Sequence, residues 1–463
     1  MNDVFKRFSL LCCLFLLPQY VLLGQDDTAA AEIKRILLER VDNDKKSVGL
    51  VVGLVIDKGS RVVGYGKLRR EGSQEVDGNT VFEIGSISKV FTTLLLADMV
   101  ERGELSLDDP IVKFLPKSVK VPSKDSKEIT LLHLATHTSA LPRLPGNLSP
   151  KDVNNPYADY TVEKMYEFLS SYSLTRDIGS QYEYSNLGVG LLGHILTLKA
   201  GTDYETMVVS RICAPLEMGS TRIKLSPELQ ARLATGHNQT GVPVMNWDIP
   251  TLAGAGALRS TVNDMLRFVA ANLGLIKSDL SGVMNKTHLV RKSTGRPDLE
   301  IALGWHVLKK FGTEIVWHNG GTGGYHSFIG FDKKKRIGVV VLSNSANDID
   351  DIGLHLIENK YELAKFEPPK EHKAIKLDSR IYDAYVGQYE LAPNFIIAIT
   401  KEGDGLFAQA TGQSKFEVFP ESETEFFYTV VDAQITFVRD EKGQVTHLVL
   451  HQNGRDIPGK KIK

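Results

Sequence analysis

The spacing of apolar residues changes several times along this chain, and each change marks an element. From Ala29 to Val41 they recur at helical spacing among good helix formers. Val48 to Ile56 is rich in β-branched residues, stops at Asp57-Lys58-Gly59-Ser60 and resumes from Arg61 to Tyr65, which predicts strand, turn and strand. Val90 to Val100 (VFTTLLLADMV) is apolar on nearly every side, so it predicts a buried helix rather than a surface one, with Gly103 as its stop. Glu314 to Trp317, Tyr325 to Phe331 and Ile337 to Ser343 read as strands, the last two joined by the polar turn Asp332 to Arg336; Ile349 to Leu363 reads as a helix. Between these ends the pattern is mainly helical, with long loops such as Leu141 to Tyr157. The expected class is α+β: an antiparallel sheet made from both ends, flanked by helices, with an inserted helical subdomain and a cleft between the two parts.

After residue 365 the pattern shortens. Pro368, Pro369 and the charged stretch to Arg380 read as a linker, placed at 366–380. Tyr385 to Leu391, Phe395 to Thr400, Leu406 to Thr411, Phe416 to Phe419, Glu425 to Val431, Gln434 to Arg439 and Val445 to His451 are short β-like segments separated by turns. They predict a small closed C-terminal β-barrel over 381–463, behind a main domain at 32–365.

Bulk composition narrows the function classes. Lys plus Arg number 55 against 56 for Asp plus Glu, which offers no electrostatic case for a nucleic-acid or anionic-membrane partner. Lys6 and Arg7 precede an apolar run from Phe8 to Gly24, broken by Ser9, Pro18, Gln19 and Tyr20. A basic start and a stretch too short to span a bilayer read as a signal peptide over 1–24, cut after Gly24 or Ala31, with an uncleaved anchor helix as the competing reading. The expectation is export to a bacterial periplasm or cell envelope, without stable membrane insertion once the signal is removed. Cys12 and Cys13 fall inside that run and leave Cys213 alone, a buried structural thiol by default. His133 and His137 stand four apart in HLATH, but without the glutamate of a zinc-protease helix they predict local hydrogen bonding. No metal and no cofactor are expected.

The candidate chemistry starts at Ser86-Ile87-Ser88-Lys89, which places a hydroxyl and an amine one helical turn apart. A serine hydroxyl becomes a nucleophile when a nearby base takes its proton, and a lysine in a dry site can have its pKa lowered enough to help. The helix N-terminus adds partial positive charge beside the attacking oxygen. Tyr184-Ser185-Asn186 lies about a hundred residues downstream, and His318-Asn319-Gly320-Gly321 sits between a short β-like run and a glycine cluster. Singly, Tyr184 fits a core aromatic, Asn186 a helix cap and Gly320-Gly321 a turn.

Together, in this order, the three segments resemble those of the S-x-x-K serine hydrolases, and the chain resembles their class C β-lactamase branch, with its D-alanyl-D-alanine carboxypeptidases, D-aminopeptidases and esterases. The resemblance covers roughly Glu32 to Leu363 and includes Phe82-Glu83-Ile84-Gly85, Leu134 to Ser139, Gly254-Ala255-Gly256, Arg259-Ser260-Thr261 and Leu303-Gly304-Trp305. The barrel looks like the lipocalin-like domain appended to some members, with a support or substrate-gating role as a hypothesis. The resemblance implies a β-lactamase/transpeptidase-like fold and a small-molecule or peptide substrate; the oligomeric state stays open. Acyl-transfer chemistry then suggests that Ser86 is acylated while Lys89 and Tyr184 share the proton work, Lys89 holding down the tyrosine's pKa so that a phenolate-like oxygen accepts a proton. Asn186 would bind the substrate amide and steady Lys89. The Ser86 and Gly321 N–H groups would form the oxyanion hole.

Two positions depart from the family pattern. Ala140 stands where many relatives have glycine, and His318 where related β-lactamases carry lysine. A histidine with an ordinary pKa of about 6.5 would bind a substrate carboxylate less well as it deprotonates, so turnover of such substrates should fall above about pH 7. Three functions compete: a secreted β-lactamase, a D-stereospecific peptidase or small-acyl esterase using the same site, and a poorly turning-over penicillin-binding or scaffold protein. Sequence does not encode the deacylation rate that divides the first from the third.

Overall fold

The computed structural model describes residues 20–366, 372–392, 395–411, 415–431, 433–452 and 455–463. Most of the expected signal, and residues 367–371 of the expected linker, lie outside them.

Eight strands form an antiparallel sheet: β1 (Gly49–Ile56), β2 (Gly59–Gly66), β3 (Lys292–Ser293), β4 (Leu299–Ile301), β5 (His306–Lys310), β6 (Thr313–Gly321), β7 (His326–Asp332) and β8 (Ile337–Ser343), in the order β2-β1-β8-β7-β6-β5-β4-β3. The two ends of the domain meet where β1 pairs with β8, Leu50 opposite Ser343. Alternation then decides which side chains face which layer. Leu50, Val52, Val339 and Val341 join Ile33, Ile36, Leu37 and Ile352 in one core, under helices α1 (Tyr20–Leu38) and α6 (Asp350–Ile357). Val51, Val55, Val340 and Leu342 point the other way, into the larger core shared with the helical part. There α5 (Val262–Asn272) lies close on the strands, for a Cβ on Gly338 would stand 2.2 Å from Val269 Cγ1.

The helical part is built around α2 (Ser88–Glu101), α3 (Asn186–Ala200) and the short α4 (Ala253–Gly256). Every residue from Ser88 to Met99 is buried, as the all-round apolar pattern of α2 requires. Gly103, at φ +69, follows its end. Close packing of α3 on α4 depends on missing side chains, since a Cβ on Gly193 would meet Gly254 Cα at 3.0 Å.

The C-terminal strands β9 (Gly387–Ala392), β10 (Phe395–Glu402), β11 (Gly405–Ala410), β12 (Lys415–Pro420), β13 (Glu425–Tyr428), β14 (Ala433–Arg439), β15 (Val445–Gln452) and β16 (Arg455–Lys461) close into a barrel with its own core. Sequence pattern shows seven of these. The eighth, RDIPGKK, lacks alternating apolar residues and carries Pro458, so it reads as a tail. It becomes a strand by pairing along β15 and closing on β9 through Tyr389–Lys461 and Glu390–Lys460. Strands β3 to β5 are likewise invisible to short-range pattern, and α6 is shorter than the helix expected from Ile349 to Leu363. Among the described residues no helix is long and apolar enough to cross a membrane.

Candidate active site

Ser86 lies in a single tight turn, Gly85–Ile87, that leads into α2. Lys89, in the first turn of α2, points back so that its Nζ donates to Ser86 Oγ at 2.9 Å and to the Ala255 carbonyl of α4 at 2.7 Å. Its side chain is fully buried. Burial, followed by the nearby charge of Arg143, pulls its pKa well below the ordinary lysine range. The Ala255 carbonyl holds the amine beside the hydroxyl, within reach of the serine proton once the lysine turns a lone pair toward Ser86.

Tyr184 reaches the same point from the other direction. Ser185 caps α3 by accepting from Gly188 N at 2.8 Å, so capping falls to Ser185 and the Asn186 carboxamide faces the cleft instead. The Tyr184 ring stacks on His137 at 4.5 Å, with Lys89 Nζ 4.9 Å and the Arg143 guanidinium 5.0 Å from its centroid. Burial pushes the phenol up to about 12, against the smaller lowering effects of its hydrogen bond with Ser86 and of the Arg143 charge. This corrects the expectation of a phenolate-like oxygen held down by Lys89. The lowering influences on the phenol come from Ser86 and Arg143 rather than from Lys89.

The third segment arrives on the edge of β6 rather than in a loop. His318 pairs with Ile329, Gly320 with Ser327 and Gly321 with His326. Its glycines let the strand lie against the Ser86 turn: a Cβ on Gly320 would stand 2.1 Å from the Ile84 carbonyl oxygen and 2.9 Å from Ser86 N. Gly85, at φ +49, faces the Gly321 backbone just as closely, a Cβ there meeting Gly321 N at 3.0 Å. The result is a cleft of about 310 Å³ whose lining includes Ser86, Asn186 and Gly321 from the three segments, with Tyr157, Trp247 and Thr322. Asn186 Oδ1 is buried there without a hydrogen-bond partner, poised for a donor on a ligand.

His318 is the departure from expectation. It is fully buried, does not line the cleft, and sits 5.2 Å from the His306 ring and 6.2 Å from that of Tyr184. Burial, with the unfavourable charges of His306 and Lys89, pushes its pKa well below the ordinary value, and burial pulls His306 to about 4. Burial of His318 argues against the ionic role expected for it and against the fall in activity above neutral pH, and its Nδ1 lies 2.5 Å from the Asn319 carbonyl. Ala140 acquires a meaning as well. Its φ of +64 lies in the left-handed region, where a glycine would sit without the Cβ clash.

Several residues around the site had no part in the chemistry assigned from sequence, although His133 and His137 make the local hydrogen bonds expected of them. Ala255 anchors Lys89; its stretch was noted only as a family feature. His137 backs Tyr184 and accepts from Ser185 N at 3.0 Å, while His133 accepts from Thr130 N at 3.1 Å to close a helix cap. Arg143 and Trp247 carried no signal at all, because loop residues announce nothing by periodicity.

The β-lactamase family profile matches residues 34–358. The chain belongs to the β-lactamase family. Residues 371–461 match a separate family described only as a domain of unknown function, DUF3471. The chain is 30% identical over 332 residues to the D-alanyl-D-alanine-carboxypeptidase/endopeptidase AmpH of Escherichia coli (strain K12), covering 66% of this chain and 84% of that protein. It is 26% identical to a β-lactamase of Lysobacter lactamgenus, covering 74% and 95%. Among solved structures it is similar to the class C β-lactamase of Rhodobacter sphaeroides, with a TM-score of 0.60 and 25% identity over 72% of this chain and 98% of the other. This β-lactamase-family chain is thus a serine hydrolase of the class C kind, with a mixed helix-and-sheet fold and a closed C-terminal barrel.

Proposed function

We propose that the protein opens β-lactam amides through an acyl-enzyme on Ser86. The observation that carries this reading is the buried Lys89 amine 2.9 Å from Ser86 Oγ, with no carboxylate among the described residues paired to it. Lys89 takes the serine proton as Oγ bonds to the carbonyl carbon. The oxyanion settles on the N–H groups of Ser86 and Gly321, each worth about 3 kcal/mol in the transition state. Tyr184, protonated in the free enzyme, gives its proton to the departing nitrogen as the C–N bond breaks and is reprotonated from Lys89. Asn186 receives the amide of the acyl portion. Water then adds to the ester carbonyl, giving one proton back through the same pair to Ser86 and releasing the acid. The setting for this chemistry is a bacterial envelope, reached by export.

A second reading keeps the site and exchanges the substrate for a D-amino-acid peptide or small ester. Its support is His318, which offers no charge where a substrate carboxylate would be held. Incubating the protein and Ser86→Ala with nitrocefin, p-nitrophenyl acetate and a D-Ala-D-Ala peptide separates the two. Nitrocefin turnover lost in the variant is the expected result. Ester or peptide turnover alone favours the second reading, and no turnover with a stoichiometric adduct overturns both.

A further inference from the structure

We infer that Arg143 is a specificity-determining residue that selects substrates bearing a carboxylate on the acyl portion; this rests on the acyl-Ser86 reading above. Arg143 is exposed, and among the described residues it has no carboxylate partner: its recorded side-chain contact is the Tyr184 ring at 5.0 Å. An arginine held beside a catalytic cleft without a counter-ion is a receptor for an anion, since its planar fork matches a carboxylate.

Its place is fixed by its own backbone. The Arg143 carbonyl accepts from Asn186 N at 2.9 Å and Leu187 N at 3.2 Å, so the residue stands beside the carboxamide proposed to read the acyl amide. Tyr157, which lines the cleft, interacts with both Asn186 and Arg143.

Other cations around the cleft cannot serve. Lys89, His137, His306 and His318 are buried, and each is driven toward its neutral form. Arg259 is committed to Glu83 at 3.3 Å and to the Trp247 and Ile223 carbonyls. Arg143 also opposes protonation of Lys89 in the free enzyme, so an anion bound to it would relieve that repulsion when the lysine takes the serine proton.

The test compares two penicillins that differ by one carboxylate on the acyl side chain: carbenicillin, which has it, and benzylpenicillin, which lacks it. Rates of Ser86 acylation are read by intact mass on the full chain, on Arg143→Ala and on Arg143→Lys. Arg143→Ala should slow carbenicillin by about tenfold and benzylpenicillin by less than about twofold, with Arg143→Lys, which keeps the charge but not the planar fork, restoring only part of the difference. The same selective loss should appear in the unaltered chain as salt is raised, because an exposed charge contact is screened. Equal slowing of both penicillins, or no slowing of either, overturns the inference while leaving the acyl-enzyme intact. Absence of both penicillin turnover and any Ser86 adduct in the unaltered chain overturns the acyl-enzyme reading, and this inference with it.

Discussion

The candidate cleft and the C-terminal barrel differ in how they place their charged groups. In and behind the cleft, Lys89, His137 and His318 are fully buried and pushed toward neutrality, and Asn186 Oδ1 and the Nε2 atoms of His137 and His318 lack partners. In the barrel, charged groups sit toward the surface in pairs such as Lys401–Asp383 at 2.8 Å and His451–Asp456 at 2.7 Å. Its core is aromatic and aliphatic: Phe437 stacks on Tyr385 at 4.1 Å and packs near Phe426 and Tyr389. The difference teaches where stability is given up for function. Burying a polar group without a partner is costly, and the cleft around Ser86 bears part of that cost in Asn186, His137 and His318.

The largest effects should come from breaking the cleft. Ser86→Ala should reduce turnover by at least about 10⁴-fold without changing the thermal midpoint. Lys89→Met should cost about 10³-fold in acylation rate, yet leave stability unchanged or raised, because an apolar side chain needs no desolvation. A clear drop in melting temperature would show that the lysine holds the fold rather than the proton. Gly85→Ala places a Cβ 3.0 Å from Gly321 N at a left-handed φ, so the two amides should part and turnover should fall about 10²-fold.

The pH profile sharpens the same contrast. In the proposed mechanism Lys89 acts as the neutral amine, and its pKa is depressed, so kcat/KM should be lost as pH falls through that depressed value and regained above it. His318 stays neutral, so carboxylate-bearing substrates should show no fall between about pH 6 and 8; a fall there would restore the ionic role. Ala140→Gly should raise stability by about 0.5–1 kcal/mol with little change in rate, measured by denaturant midpoint. At the far end of the scale, Phe437→Ala should destabilise the barrel by about 3–5 kcal/mol and leave turnover unchanged at temperatures where the barrel remains folded. A change in KM under those conditions would revive the gating role.

Much of this protein was written locally. The buried α2 follows from a run apolar on every side, β1 and β2 from β-branched residues around a polar turn, and Ser86 with Lys89 meet because one helical turn separates them. What sequence could not give is whatever depends on distant chain. Strand β16 exists only because β15 and β9 flank it. The His318 pKa falls well below its ordinary value because folding buries it among His306, Tyr184 and Lys89, and burial likewise raises the Tyr184 phenol from its ordinary value to about 12. Residue type sets the ordinary pKa and the period of a segment sets its helix or strand. Desolvation and the company of other charges are properties of assembled neighbours, so the proton positions that decide the chemistry were settled by the tertiary structure alone.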